Sequence, residues 1–493
     1  MTILHIYFSQ PPQLGVALSV SNLPRHLAQP SPGDWVDHYL LAGDPGEPCL
    51  HLGRTVLRGE LFDLVDEQQL RLSNAGLEPG GTVSLRLPPS LGYVAVLLAA
   101  WRLGAQVSLL DHRLTEAEVA RALDRLDPQL VVAAKTSGGA AMRGYTEIET
   151  VLASRPQGQA AASEHCLIQL SSGSTGPSKV IARTSDSLVR ELDRYDRLPD
   201  YPRRGERVVL LASAVHVLGL VGGLLQGLHA GVQLHFPERL TGAGILQAVA
   251  AGDRPTTVLG VPFYAELLSA LPGDERPERL RRMIVAGELT RPGLAQAFTA
   301  RFGVPLGTMF GMTELGMIAT DLTGHHYPAV EPAHGMELRV REGELLIAAP
   351  ASPYLGLSDP TRWDEGWLHT RDAAAVDPAT GLATILGRLD SQVAIGGLKV
   401  DLTEVERTVA AVPGVTEAVV IHDGGINAYL ALRDTTAEAV QAELAQELAA
   451  YKRPRQLHVL PSLPRTATGK ALRDPVALRR AVTEYAAAQH AGA

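Results

Sequence analysis

Six consecutive residues of Ser, Thr and Gly, Ser171 to Gly176, followed by Pro177 and Lys179, have the composition of a phosphate cradle. Gly173 and Gly176 let the backbone turn its N–H groups inward and approach a ligand closely. Ser171, Ser172, Ser174 and Thr175 add hydroxyl donors, and Lys179 supplies a point charge for phosphate oxygens. The spacing is not that of a Walker loop, since no G-x-x-x-x-G-K-[ST] occurs. A flexible Ser/Gly linker has the same composition. The apolar approach Cys166–Leu170 and the VIARTSDSLVREL continuation argue against one.

Four further segments carry groups of the same chemistry. MFGMTELG (309–316) offers Phe310 to stack on a flat ring, Thr313 to donate to a phosphate, and Glu314 to hold magnesium with waters. GWLHTRDAA offers Asp372 to two sugar hydroxyls. GRLDSQVAIGGLKV combines Arg388, Asp390 and the Gly396-Gly397 loop, and LPRTATGKALRD carries Lys470 on a Gly/Thr-rich tip. Taken singly, each has an ordinary explanation: a solvated carboxylate, a surface lysine, a core phenylalanine, and for His216 a satisfied core histidine. Their order and company give them weight.

These groups need a scaffold, and the alternation of elements describes one. Strand Thr82–Leu87, helix Tyr93–Leu103 stopped by Gly104, strand Gln106–Leu110, a helix boxed by Thr115 and Glu118 that ends before Pro128, and strand Leu130–Ala133 predict a parallel, doubly wound α/β sheet. Alternation resumes after the glycine-rich loop, with strands near Val208, Val232, Val258, Met283 and Pro305 and a helix Leu294–Phe302 capped by Gly303. Residues 335–389 read as a β-rich subdomain of short alternating strands. Beyond a boundary at Asp390, a compact α/β piece follows, with a helix boxed by Thr403 and Glu406. Its second helix places Val440, Leu444, Leu448 and Tyr451 on one side, giving domains 1–389 and 390–493.

The 493 residues, 45% hydrophobic and 20% charged, carry a formal charge of −9 with acids and bases interspersed, so nothing suggests a nucleic-acid surface. Cys49 and Cys166 cannot build a disulfide framework or a zinc site alone, which fits a reducing cytoplasm. Met1–Leu14 shows no signal peptide. Val208–Phe236 lacks Lys, Arg, Asp and Glu, but its glycines, histidines and glutamines divide it into strand, helix and strand rather than a membrane span.

From Asp44 to Arg473, with the motifs in family order, the chain resembles the ANL superfamily of adenylate-forming enzymes, and SSGSTGPSKVIART is most similar to the aryl-acid-activating branch. The resemblance implies a large N-terminal domain, a small C-terminal domain swinging about Asp390, and two steps: a carboxylate attacks the α-phosphate of ATP, and a thiol, usually coenzyme A, then displaces AMP. It implies that Ser171–Lys179 cradle the β- and γ-phosphates, that Thr313 and Glu314 serve the α-phosphate and Mg2+, and that Phe310, Gly311 and the Gly287-Glu288 turn flank adenine. Asp372 and Arg388 would grip ribose, and Lys470 would bridge the acyl carboxylate and α-phosphate until rotation replaced it with Gly396-Gly397. His216 joins the catalytic set and, with Val217, Gly222 and Met312, the acyl pocket.

Val217 stands where amino-acid-activating relatives place an aspartate. An unpaired ammonium there would be costly, so the expected substrate is an apolar aryl, fatty or terpenoid-like acid without an α-amine, in natural-product metabolism. The partners implied are that acid and either CoA or a carrier protein, with a homodimer left open. Departures are Ser178 and Val180 around the loop lysine, Ser185 after Arg183-Thr184, and Arg371 in place of the glycine of TGD. They keep two alternatives open: an enzyme of one half-reaction and a non-catalytic nucleotide-binding module.

Overall fold

The computed structural model describes residues 33–135, 144–171, 179–290, 293–464 and 471–491. The expected α/β alternation forms close to the expected positions. Ser90 caps the helix Leu91–Arg102 by accepting from the Tyr93 N–H. Thr115 and Glu118 form a reciprocal capping box on Glu116–Leu126, and Gly303 ends Leu294–Phe302 in the left-handed conformation.

The strands fall into two large mixed sheets. In the seven-stranded sheet, Thr82–Arg86, Gln106–Leu109, Leu130–Ala134 and Leu167–Ser171 run parallel. Lys179–Arg183 returns antiparallel along the last of these, pairing Ser171 with Lys179, and Tyr354–Leu355 adds an edge strand. In the fourteen-stranded sheet, Pro48–His51, Gln233–His235, Arg207–Leu210, Thr256–Gly260, Leu280–Ala286 and Leu306–Met312 are parallel neighbours. Antiparallel strands then continue it through Gly316–Asp321 into the β-rich segment, so the subdomain expected at 335–389 is an extension of this sheet rather than a separate one.

The charge-poor run is strand, helix and strand, and among the described residues no helix is long and apolar enough to cross a membrane. Its helix is π-wound over Leu218–Leu225 before turning α-helical at Gln226–Ala230. Glycine lets it lie against the sheet: a Cβ at Gly223 would meet Leu210 Cδ1 at 2.6 Å.

Beside it, His51 and His235 face each other across paired strands with rings stacked at 4.4 Å. Burial, then the neighbouring His51 and Arg207, push His235 down to about 3. The unfolded chain therefore takes up a proton below about pH 6.5 that the fold refuses, and stability falls as pH drops. Replacing His235 with Gln is expected to flatten the decline in thermal midpoint between pH 7 and pH 5. An unchanged slope would assign the acid sensitivity elsewhere.

The small C-terminal domain has a hairpin, Gln392–Ile395 with Leu398–Asp401, and a three-stranded sheet of Val415–His422, Ile426–Leu432 and Gln456–Val459. Val405, Val409, Val440, Leu444 and Leu448 share its core. Two sequence expectations are corrected here. Helix Leu402–Ala410 is capped by Asp401, whose carboxylate accepts from the Thr403 and Glu404 N–H groups, while Glu406 accepts from Val420 N–H and pairs with Arg473. Tyr451 lies beyond the second helix, which ends at Glu447, in the turn Ala450–Lys452.

Candidate functional site

Residues 172–178 and Lys470 lie outside the described residues, so the expectations for Ser172, Gly173, Ser174, Thr175, Gly176 and Lys470 rest on sequence; the Ser171 backbone is described as the end of its strand. The antiparallel partner of that strand begins at Lys179. The edge strand Tyr354–Leu355, paired to it, puts the Tyr354 ring under the ammonium, with Nζ 5.9 Å from the centroid. Tyr354 donates its hydroxyl to Glu314 Oε1 at 2.9 Å. Lys179 and Glu314, 135 positions apart, are thus brought to the two ends of one buried tyrosine. Burial, then the charge of Arg362, push Lys179 down to about 8, against the pull of Glu314, Asp390 and Asp359.

Arg388 joins the next two carboxylates. Its Nη1 lies 3.1 Å from Asp372 Oδ1, and its Nε and Nη2 reach Asp390 at 3.0 and 2.6 Å. Burial raises the Asp372 pKa in spite of this cation, whereas Arg388 holds Asp390 below the usual carboxylate range although burial opposes it. Arg362 Nη1 stands 3.6 Å from Asp390 and ties this trio to the Lys179 side. Arg371 occupies the left-handed region at φ 62° and turns its guanidinium to the Thr361 carbonyl and toward Glu344, not to Asp372.

The second part of the site is a cavity of about 1530 Å³. Met309, Gly311, Met312 and Thr313 line it from the end of one strand; His216, Val217 and Leu218 from the start of the π-wound helix; and Gly287, Gly396 and Gly397 from two facing turns. Gly397 donates its N–H to Glu288 Oε1 and rests on Val261, so the glycine pair is docked at the cavity rather than held away from it. Asp111, at the carboxyl end of Gln106–Leu109, lies 3.5 Å from His216 Nε2 and receives Arg113 Nε at 2.8 Å and Nη2 at 2.6 Å. Contact with His216 and with the Arg113 guanidinium holds the Asp111 carboxyl far below its ordinary range although burial opposes ionisation.

Three residues sit differently from their assigned places. Gly222 does not line the cavity: the direction of its absent Cβ is filled by the Tyr195 hydroxyl at 2.6 Å, and its carbonyl accepts from Tyr201. Its missing side chain makes room for tyrosines, not for a ligand. Phe310 is half-buried against the cluster of Ile181, Met312, Ile318 and Tyr354, while the cavity is lined by its neighbour Gly311. Glu288 is engaged by Gly397. Tyr354, Arg362, Asp111 and Arg113 were not foreseen. Only Asp111 carried a signal, an acid at the carboxyl end of an apolar strand, where open α/β sheets bind ligands.

This is an open α/β scaffold with Asp111, Gly287, Thr313 and Glu314 just past the carboxyl ends of parallel strands, where such sheets bind ligands. The chain belongs to the AMP-binding enzyme family of the ANL adenylate-forming superfamily: residues 41–350 match the AMP-binding enzyme model and 404–470 the AMP-binding enzyme C-terminal domain. It is 28% identical to p-hydroxybenzoic acid–AMP ligase FadD22 of Mycobacterium marinum over 91% of this chain and 69% of that protein. With benzoate–CoA ligase of Thauera aromatica it is 29% identical over 63% of this chain and 65% of that protein. The o-succinylbenzoate CoA synthetase of Bacillus subtilis shares the fold, with TM-score 0.76 at 21% identity, covering 90% of this chain and 98% of that one. The class is that of ATP-dependent, AMP-forming acid–thiol ligases, which use ATP, Mg2+ and CoA.

Proposed function

We propose that the protein is an acyl-CoA ligase that activates an apolar carboxylic acid lacking an α-amine through acyl-AMP and passes the acyl group to CoA. The observation that carries this reading is the convergence of Lys179, Glu314, Asp372 and Arg388 beside a large cavity onto which Gly396-Gly397 of the small domain is docked.

In the first step a carboxylate oxygen attacks the α-phosphorus and pyrophosphate leaves. In the second the thiol sulfur attacks the acyl carbon, AMP leaves and the thiol proton is lost. Lys179 and the preceding Ser/Gly loop hold the outer phosphates, Thr313 the α-phosphate, and Asp372 and Arg388 the ribose, with Gly311 and Gly287 beside adenine. Lys470 reaches the acyl carboxylate in the first step, and Asp390 forms the pivot between the domains. Positioning and charge neutralisation are what this chemistry requires. Glu314 fits a Mg2+ role, since one carboxylate with substrate phosphates suits that ion. Among the described residues no cluster of three His, Cys, Asp or Glu could cage a metal by itself. When bound, the ion would neutralise charge on the phosphate oxygens.

Val217, Met309, Met312 and Met317 give the cavity apolar walls. Its buried carboxylates are committed to cations of the protein, Asp111 to Arg113, Glu118 to Lys452 and Glu191 to Arg183, so none of them waits for a substrate ammonium. The relationship to an aryl-acid–AMP ligase supports a second reading, transfer to a carrier protein.

A panel of aryl, fatty and terpenoid acids, read by mass spectrometry for acyl-AMP and acyl-CoA separately, tests the proposal. Acid-dependent AMP and an acyl-CoA product are expected. Holo-carrier outperforming CoA would favour the second reading. Neither product with any acid would overturn both.

A further inference from the structure

The mechanism leaves one buried ion network unexplained, and it joins the two domains. Lys452 of the small domain is 8% exposed and places Nζ 2.8 Å from Glu118 Oε1 of the large domain and 3.2 Å from Glu404 Oε1 of its own. Glu118 is 6% exposed, and its other oxygen closes the capping box on helix Glu116–Leu126. One carboxylate therefore fixes both the start of that helix and the lysine that crosses to it. Around this pair, Arg121 reaches Glu447 Oε2 at 2.8 Å, and the Arg113 guanidinium lies 5.6 Å from the Tyr451 ring centroid. Arg113 is itself held by Asp111 at the cavity wall, and Glu118, Glu404, Tyr451 and Lys452 all line the same cavity.

We propose that Glu118, Lys452 and Glu404 are positioning residues for the thiol-transfer step, clamping the small domain in the orientation that seats Gly396-Gly397 against Gly287-Glu288. The inference rests on the two-step reading above. Burying three charges is tolerated only while they remain together, because an ion left without its partner loses the compensation for its desolvation. Rotation of the small domain would carry Lys452 and Glu404 away from Glu118. The exposed Arg121–Glu447 pair contributes little by comparison. The clamp is thus strong only in the docked arrangement and biases the protein toward it. Glu118→Gln keeps a capping-competent side chain while weakening the charge pair, and Lys452→Met removes the cation at similar length.

The test uses the full chain without ligand, by amide hydrogen exchange read by mass spectrometry. Each variant is expected to raise exchange about tenfold in peptides covering 287–289 and 395–398, and the double variant no further, as shared contacts require. Exchange in the strand Leu280–Ala286 should be unchanged. Unchanged protection at the glycine turns, additive effects, or an equal rise in the core strand would each overturn the clamp. With an acid accepted in the screen, both variants should slow thioester formation from acyl-AMP at least tenfold while leaving pyrophosphate release within about twofold; equal losses in both steps would also overturn it. If no acid is accepted, the proposed function fails, while the exchange experiment still decides the clamp.

Discussion

Affinity for Mg-ATP is expected to fall as pH rises above about 8, and Lys179→Arg is expected to remove most of that fall. Burial and the Arg362 charge lower the Lys179 pKa to about 8 in the free protein. A triphosphate favours the ammonium, so binding raises this pKa, and affinity declines as pH climbs through the free-protein value, by at most tenfold per unit for one proton. The neighbouring phenol does not confuse the reading. Tyr354 is driven well above its ordinary value by burial and by Glu314, so it stays protonated across this range. Arginine keeps its charge throughout. Lys179→Met should weaken binding on the order of 10- to 100-fold at pH 7, the scale for losing a charge-assisted contact to phosphate. Calorimetry with a non-hydrolysable ATP analogue and Mg2+ from pH 6.5 to 9.5 measures both. A wild-type profile flat above pH 8, or one that Lys179→Arg reproduces, would remove Lys179 from the phosphate site.

The parallel core of this fold was legible because buried strands and amphipathic helices leave patterns of different period. Val83, Leu85 and Val107, or Val119 and Ala122, declare their element without a partner. What periodicity does not encode is which edge a short segment joins. Tyr354-Leu355, in SPYLGL, has no alternation to read, yet its pairing with Val180 and Ile181 sets Tyr354 between Lys179 and Glu314. The same limit hid the merging of the β-rich segment with the large sheet, which depends on Ala329-Val330 meeting Ala383-Thr384. At Asp401 the difficulty is chemical. Asp and Thr are both good helix caps, and the strand Leu398–Asp401 hands over to the helix at Asp401 rather than two residues later.

Residues of the candidate site divide in a similar way. Lys179, Glu314, Asp372, Arg388 and Asp390 were visible because charged groups in short Gly-rich motifs stand out from their surroundings, and the fold brings them into one neighbourhood. Gly222 misled because a glycine on an apolar helix leaves space, and sequence does not say who fills it; here Tyr195 does. Lys452 and Glu118 were invisible as a pair because 334 positions separate them and each has a local reading, a surface lysine and a capping glutamate.

Replacing Gly397 with Ala is expected to reduce thioester formation from acyl-AMP by at least 100-fold while leaving adenylation within a few-fold. Three observations set the size. Gly397 sits at φ 80°, where a side chain costs about 1–2 kcal/mol. A Cβ there would also lie 2.3 Å from Val261 Cγ1, a separation that real contacts do not allow, so the loop must back away from the wall that supports it. Withdrawal also breaks the Gly397 N–H to Glu288 bond, a donor to a charged acceptor worth about 1.5–3 kcal/mol. The strain and the lost hydrogen bond together come to about 2.5–5 kcal/mol before the clash is counted, against the roughly 2.7 kcal/mol that a hundredfold rate loss represents. Adenylation is spared because, in the reading proposed here, it proceeds with the small domain turned the other way and Lys470 at the site. Val261→Ala tests the steric part on its own: combined with Gly397→Ala it removes the clash but not the backbone strain, so at least tenfold of the lost rate should return. Single-turnover measurements of pyrophosphate release and of thioester appearance separate the two steps. Equal losses in both, or no recovery in the double variant, would show that Gly397 serves the fold rather than the thiol path.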